Sequence, residues 1–321
     1  MRSFLEKYGI SVVLLLLIAL FSFTSPAFLT VDNLMNVARQ VSMIGITAVG
    51  MSLIIITAGI DLSVGSLLAL TGIVCAQLMV KFGFHPAFAI VCTLAVAAFI
   101  GLINGVLVVY AEIPPLIATL GMMTALRGLA YIFTAGLPVY GLSESFAVIG
   151  QGYFLGIPVP VIIMAAIMLF GWIFVNRTVY GRYIYGIGGN AEATRLSGVS
   201  VKKNTLLVYV LGGLFTGIAG IIALSRISSG QPSAGVGFEL DVITAVVLGG
   251  ISIMGGQGRF IGVLFGVLIM GVLSNGLVLL NVYDYYQMVI KGLVLLAAVG
   301  FDQYAKRAKK AKVVEVASAS G

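Results

Sequence analysis

The sequence predicts an all-α polytopic membrane protein of about ten transmembrane helices. Three observations lead there: too few charges for a water-soluble surface, a succession of apolar runs near bilayer length, and basic residues gathered on one side of them. Of 321 residues, 60% are hydrophobic and only 9% charged, with a mean hydropathy of +1.14. Soluble domains carry roughly a quarter charged residues. A crossing takes about 20 mainly apolar residues. The candidates are 9–24, 41–58, 64–80, 87–110, 115–135, 157–176, 205–224, 242–255, 260–280 and 285–301. The stretch 242–255 is short and reads either as a full span or as a re-entrant segment.

The first run follows Arg2 and Lys7 and so has the outline of a secretory leader. It lacks a small-x-small cleavage site after the apolar stretch, which makes it a retained first helix. Charge then tests the count. With the N-terminus in the cytoplasm, the loop after the sixth span is also cytoplasmic, and it holds Arg177, Arg182, Arg195, Lys202 and Lys203. The tail after the tenth span holds Lys306, Arg307, Lys309, Lys310 and Lys312, while the opposite-side loop 136–156 has Glu144 and no Lys or Arg. Positive-inside is satisfied with both termini cytoplasmic. The formal charge of +7 therefore belongs to the membrane surface and not to nucleic acid. One transmembrane domain, 1–301, is expected, followed by a basic, partly disordered cytoplasmic tail at 302–321.

Glycine recurs at small-residue spacing inside the spans, as in "GGLFTGIAG" (212–220), a pattern of close helix packing. A faint internal repeat aligns "NGVLVV" (104–109) with "NGLVLL" (275–280), pairing spans five apart, which makes the two halves inverted. Inverted halves with a site at their junction are common in transporters. A rival match, "ITAV" at 46–49 and 243–246, pairs spans running the same way.

Catalytic and metal chemistry have little to stand on. Cys75 and Cys92 lie inside apolar runs as small core residues, and His85 is the lone histidine, in a connector. The phosphate-loop pattern GxxxxGK[ST] is absent, so this polypeptide is not itself an ATPase. No cofactor is implied.

The polar residues within the apolar runs are the informative ones. Asp61 stands in "TAGIDLSVGS" with Gly59, Gly65, Ser63 and Ser66 around it, so the chain unwinds there before the third span. One reading makes Asp61 a helix cap or membrane-edge loop residue; the other makes Asp61 and Ser63 part of a break lining the pathway or gate, since irregular backbone at membrane depth must be buried in protein or face a cavity. Arg127, within the fifth span, needs a partner, and Asp61 is one candidate. Lys291 in the tenth span either pairs or snorkels. Glu239 and Asp241 form a second acidic cluster, "GVGFELD", and join the gate candidates. In 181–204, Asn190 is a plausible N-cap, "AEATRL" a short helix and Gly198 its C′ stop. Such a helix, with Glu192 and Arg195 on it, needs something to pack on.

"GIDLSVGS", "IATLGMMTALRGL", "GRYIYGIGGNAEATRLSGV", "GFELDVITAVVLGG", "GGQGR" and "SNGLVLL" together resemble the permease subunits of bacterial ABC sugar importers, the ribose/xylose/arabinose group. The resemblance runs from about residue 10 to 301. It implies a homodimeric permease in the inner membrane, with a separate ATP-binding subunit and a periplasmic sugar-binding protein as partners. It also implies that the loop 177–204 supplies the coupling helix, carrying Asn190, Glu192, Arg195 and Gly198 to the ATPase. Glu112 and Leu116 depart from the group's usual basic residue and Phe. The alternatives are a related permease for branched-chain amino acids or an autoinducer-like sugar, and an autonomous secondary transporter using Asp61 as its titratable group.

Overall fold

The computed structural model describes the backbone of residues 2–319 and the side chains of 9–303. Its helices are α1 (Arg2–Thr24), α2 (Val31–Ile56), α3 (Val64–Val80), α4 (Pro86–Val109), α5 (Pro115–Thr134), α6 (Glu144–Gln151), α7 (Val159–Arg177), α8 (Val179–Gly189), α9 (Ala191–Leu196), α10 (Val201–Ile227), α11 (Phe238–Leu248), α12 (Phe260–Leu279) and α13 (Asp284–Ala319). A two-stranded antiparallel hairpin, β1 (Tyr153–Phe154) and β2 (Ile157–Pro158), leads into α7. Among the described residues, seven helices are long and apolar enough to cross a bilayer. The apolar part of α1 and all of α3 are a turn shorter. This is an all-α, multi-pass membrane protein.

The eighth apolar run is of another kind. With 11 residues, α11 is about 16 Å long, half of a bilayer core. The chain reaches it through the irregular segment 228–237 and leaves through 249–259. Thus the run 242–255 is not a full-length helix: its helical part begins earlier, at Phe238, and stops at Leu248.

Helix directions follow from the contacts. A Cβ on Gly50 would lie 2.6 Å from Gly212 Cα, and one on Gly59 would lie 2.8 Å from Tyr209 Oη, so α2 and α10 run antiparallel. Likewise Gly45 meets Met164 and Gly171 meets Val49, which sets α7 parallel to α2. In the central cluster, Ile46, Leu53, Ile54 and Ile55 of α2 are fully enclosed by α10, α11 and α12 residues such as Val208, Val246 and Val263. A helix apolar on every side belongs in such a place. By contrast α4, α5, α7 and α13 turn apolar side chains outward, among them Phe99, Ile132, Leu169 and Leu296.

The two halves match element by element. The offset that lays Asn104 on Asn275 also lays Val31 on Lys202, Val64 on Gly235, Pro86 on Gln257 and Pro115 on Tyr286. Each lands within three residues of the start of α10, α11, α12 and α13 respectively. Long helix, break, short helix and two further helices therefore occur twice, and α2 opposes α10. The rival "ITAV" match also brings the starts of α3 and α4 within one residue of those of α12 and α13, but it lays the 26-residue α2 on the 11-residue α11.

Three boundaries differ from the sequence reading. α2 starts at Val31, with Thr30 Oγ1 accepting from Asn33 N, because its first turns are polar and not apolar. The loop 136–156 contains α6 and the first strand of the hairpin. The stretch 179–189, expected as loop, is α8. α13 continues to Ala319; the side chains of the basic tail, and with them its expected partial disorder, lie outside the described residues.

Candidate functional site

Chemistry-bearing residues gather at two breaks and at one exposed helix. The first break, 57–63, begins where Ala58 turns to φ 62°. Asp61 is 1% exposed. Its Oδ1 accepts Ser63 N–H at 2.8 Å and Ser63 Oγ–H at 2.6 Å. From α4, Asn104 Nδ2 donates to Ser63 Oγ at 2.9 Å and to Asp61 Oδ2 at 3.3 Å. From α5, Thr119 Oγ1 accepts Leu62 N–H at 3.1 Å and lies 3.2 Å from Ile60 O. Asp61 does not reach the N–H groups of the first turn of α3; its backbone contact is the N–H of Ser63, the N-cap residue. The acid organises the break itself.

The second break, 228–237, mirrors the first. Ser228 has φ 57°, and Gly235 and Gly237 are left-handed. Gly230 exchanges both backbone hydrogen bonds with Val139, at 2.9 and 2.8 Å. Arg127 is held here and not by Asp61: its Nη1 donates to Pro232 O at 2.7 Å and Ala234 O at 2.6 Å. The reason is geometric, since an unwound stretch presents carbonyls that no helix uses, and a guanidinium inside an apolar bundle must find acceptors. The expected Arg127–Asp61 pair is thus corrected.

The breaks meet. A side chain at Gly65 would collide with Gly235 O and the Glu239 carboxylate, and one at Gly235 would strike Gly65. The N-termini of α3 and α11 consequently diverge from one point, with Glu239 over Gly65 and Arg127 within its electrostatic reach. Asp241 is committed elsewhere: Lys291 Nζ donates to its Oδ2 at 2.7 Å, both side chains being largely buried. Lys291 therefore pairs and does not snorkel.

The third feature is α9. Asn190 Oδ1 accepts Ala193 N–H at 2.9 Å, and Gly198 has φ 84°, the left-handed stop that a Cβ disfavours. Every residue of α9 lies outside the core. Glu192 and Arg195 form an exposed bidentate pair at 2.9 and 2.5 Å. Those hydrogen bonds hold the Glu192 carboxyl below the ordinary carboxylate range. Just before it, α8 grips the bundle. Tyr185 Oη donates to Gly258 O at 2.9 Å, and Gly188 abuts Ile56 O, which also accepts Gly256 N–H at 2.9 Å. The exposed helix is therefore joined through α8 to the end of α2 and to the turn after α11.

Sequence reasoning singled out Asp61, Ser63, Arg127, Glu239, Asp241 and the four α9-loop residues, but missed Asn104, Thr119 and Tyr185, which hold the first break and α8 in place. An amide deep in the apolar fourth span was the available signal for Asn104.

A bundle of apolar helices with two breaks meeting inside it and an exposed capped helix outside it is the architecture of a membrane permease. The chain belongs to the family described as the permease component of branched-chain amino acid transport systems, which matches residues 33–299. It is 50% identical to the ribose import permease protein RbsC of Escherichia coli strain K12, over 94% of this chain and 95% of that one. It is 45% identical to RbsC of Bacillus subtilis, over 93% of each, and 41% identical to the L-arabinose permease AraH of Azospirillum brasilense, over 96% and 90%. No solved structure matches the chain.

Proposed function

We propose that this chain is the membrane-spanning subunit of an ATP-binding-cassette importer that brings a ribose-like monosaccharide across the bacterial inner membrane. Two copies form the passage, a separate ATP-binding subunit drives it, and a periplasmic binding protein delivers the sugar. Both termini and α9 face the cytoplasm. The observation that carries this reading is α9: a rigid, capped, exposed helix whose neighbour α8 holds both the end of α2 and the turn after α11. A partner that pushes α9 moves both breaks together. The likeness to ribose and arabinose permeases over nearly the whole chain supports a sugar as cargo.

The mechanism rests on population shift. ATP closing the partner ATPases and the loaded binding protein docking outside both favour one arrangement of the helices, and hydrolysis restores the other. Asn190, Glu192, Arg195 and Gly198 shape the docking helix, while Asp61, Ser63, Arg127 and Glu239 set the two breaks. Asp241 supports the second break through Lys291.

Proteoliposomes containing this chain, its ATPase and its binding protein are expected to accumulate radiolabelled ribose only with ATP, and liposomes with this chain alone to accumulate none under a proton gradient. Uptake by the lone chain overturns the importer reading. ATP-driven uptake of leucine and not of ribose overturns the sugar reading.

A further inference from the structure

Tyr209 lies on α10, which leaves the docking helix through residues 197–200 and begins at Val201. Eight residues along, Tyr209 is about 12 Å from that start. It is fully buried, and its Oη has no hydrogen-bond partner. Asn104 Oδ1, also fully buried, has none either, although Asn104 Nδ2 is bound to the Asp61 break. The two residues belong to one crevice: Tyr209 Cβ packs on Gly105, and Tyr209 Oη points at Gly59, two residues before Asp61. A buried hydroxyl donor and a buried carbonyl acceptor thus stand unjoined beside the same break. Buried polar groups are nearly always satisfied, so a donor and an acceptor left unmade beside one break call for a reason of their own.

The neighbourhood permits another arrangement. Around Tyr209, α10 meets α2 and α4 through backbone-to-backbone approaches, Gly212 on Gly50 and Gly213 on Gly101. Ile54 of α2 seats its Cδ1 against Gly212, so a shift of α10 there turns on one aliphatic side chain changing its place.

We propose that Tyr209 is a positioning residue that links movement of the α9–α10 unit to the Asp61 break. When the ATPase displaces α9, α10 shifts and the Tyr209 hydroxyl donates to the Asp61–Asn104 cluster, stabilising the rearranged break. This rests on α9 being the ATPase contact, as proposed above.

The test is Tyr209→Phe in the complete transporter in proteoliposomes. Sugar moved per ATP hydrolysed is expected to fall about fivefold or more, the lower range of allosteric coupling. The thermal midpoint of the purified subunit should hold or rise, because the lost hydroxyl has no partner in the resting arrangement. Unchanged sugar per ATP overturns the proposal. A marked drop in the midpoint also overturns it, since the hydroxyl is then an ordinary structural bond. A Thr194→Cys variant separates the two levels. If it fails to crosslink to the ATPase, the coupling reading fails and takes this proposal with it; if it crosslinks, the Tyr209→Phe result judges Tyr209 alone.

Discussion

Asp61 accepts from Ser63 N, Ser63 Oγ and Asn104 Nδ2 inside the protein, so truncating it strands donors that water cannot reach. Each stranded buried group costs about 1–3 kcal/mol. Asp61→Ala is expected to insert normally, as judged by membrane-fraction yield, with transport strongly reduced; wild-type uptake would mean that the break tolerates its loss. Arg127→Ala acts on a different segment, through Pro232 and Ala234. Because the two side chains share no partner, the free-energy effects of the single variants on uptake are expected to add in the double variant. A double variant no worse than the poorer single one would place them in one unit. The Glu192–Arg195 pair makes a statement about pH. A carboxyl held below its ordinary range keeps its contribution at neutral pH and loses it as pH falls through that lowered value. The yield of a photo-activated crosslink from position 194, which involves no thiol, should therefore stay flat from about pH 8 to pH 5, and a decline near neutrality would point to another titrating group.

At the scale of elements, legibility depended on where the determining chemistry lay. α9 was readable because a cap, a short helix and a left-handed stop are local; Asn190 bonds three residues ahead, and Gly198 needs only its own φ. α8 was hidden, since "VYGRYIYGIGG" looks broken by its glycines. They serve close approach instead: Gly181 abuts Val175 and Gly188 abuts Ile56. The partner of Arg127 was unreadable for another reason. Its acceptors are backbone carbonyls more than a hundred residues away, and carbonyls leave no mark in a sequence. Two element-level outcomes are expected. Gly198→Val forces a β-branched residue into a left-handed position, a strain of about 1–3 kcal/mol, and should uncouple ATP hydrolysis from uptake while leaving membrane yield unchanged. Lys291→Met strands Asp241 in the bundle at roughly 3–5 kcal/mol, lowering the thermal midpoint, and adding Asp241→Asn should recover much of the loss.

For the whole molecule, the ten apolar runs were visible in the sequence. Among the described residues, seven of the helices they form are long enough to cross a bilayer, and the run at 242–255 gives only the short α11. The repeat was visible only at "NGVLVV" and "NGLVLL"; the boundaries of the helices carry the rest of the match, because inversion preserves lengths and packing directions far better than side chains. Cysteines placed singly at Ala191 and Tyr153 are expected to react with a membrane-impermeant reagent from opposite faces, Ala191 from the cytoplasm. Reaction of both from the same face would contradict the arrangement.

The short helix α11 also bears on how the protein is made. A segment of 11 residues that opens with Glu239 and Asp241 is a poor client for the translocon, because each acid near mid-bilayer costs roughly 2.5–3.5 kcal/mol on the insertion scale. Residues 228–258 consequently cannot enter the bilayer as a self-sufficient hairpin arm when they leave the ribosome. Their burial depends on α12 covering Val246 and on α13 bringing Lys291 to Asp241. A released, truncated chain ending at residue 258 should leave this stretch outside the hydrocarbon, open to glycosylation-site mapping, whereas one ending past residue 303 should have drawn it in.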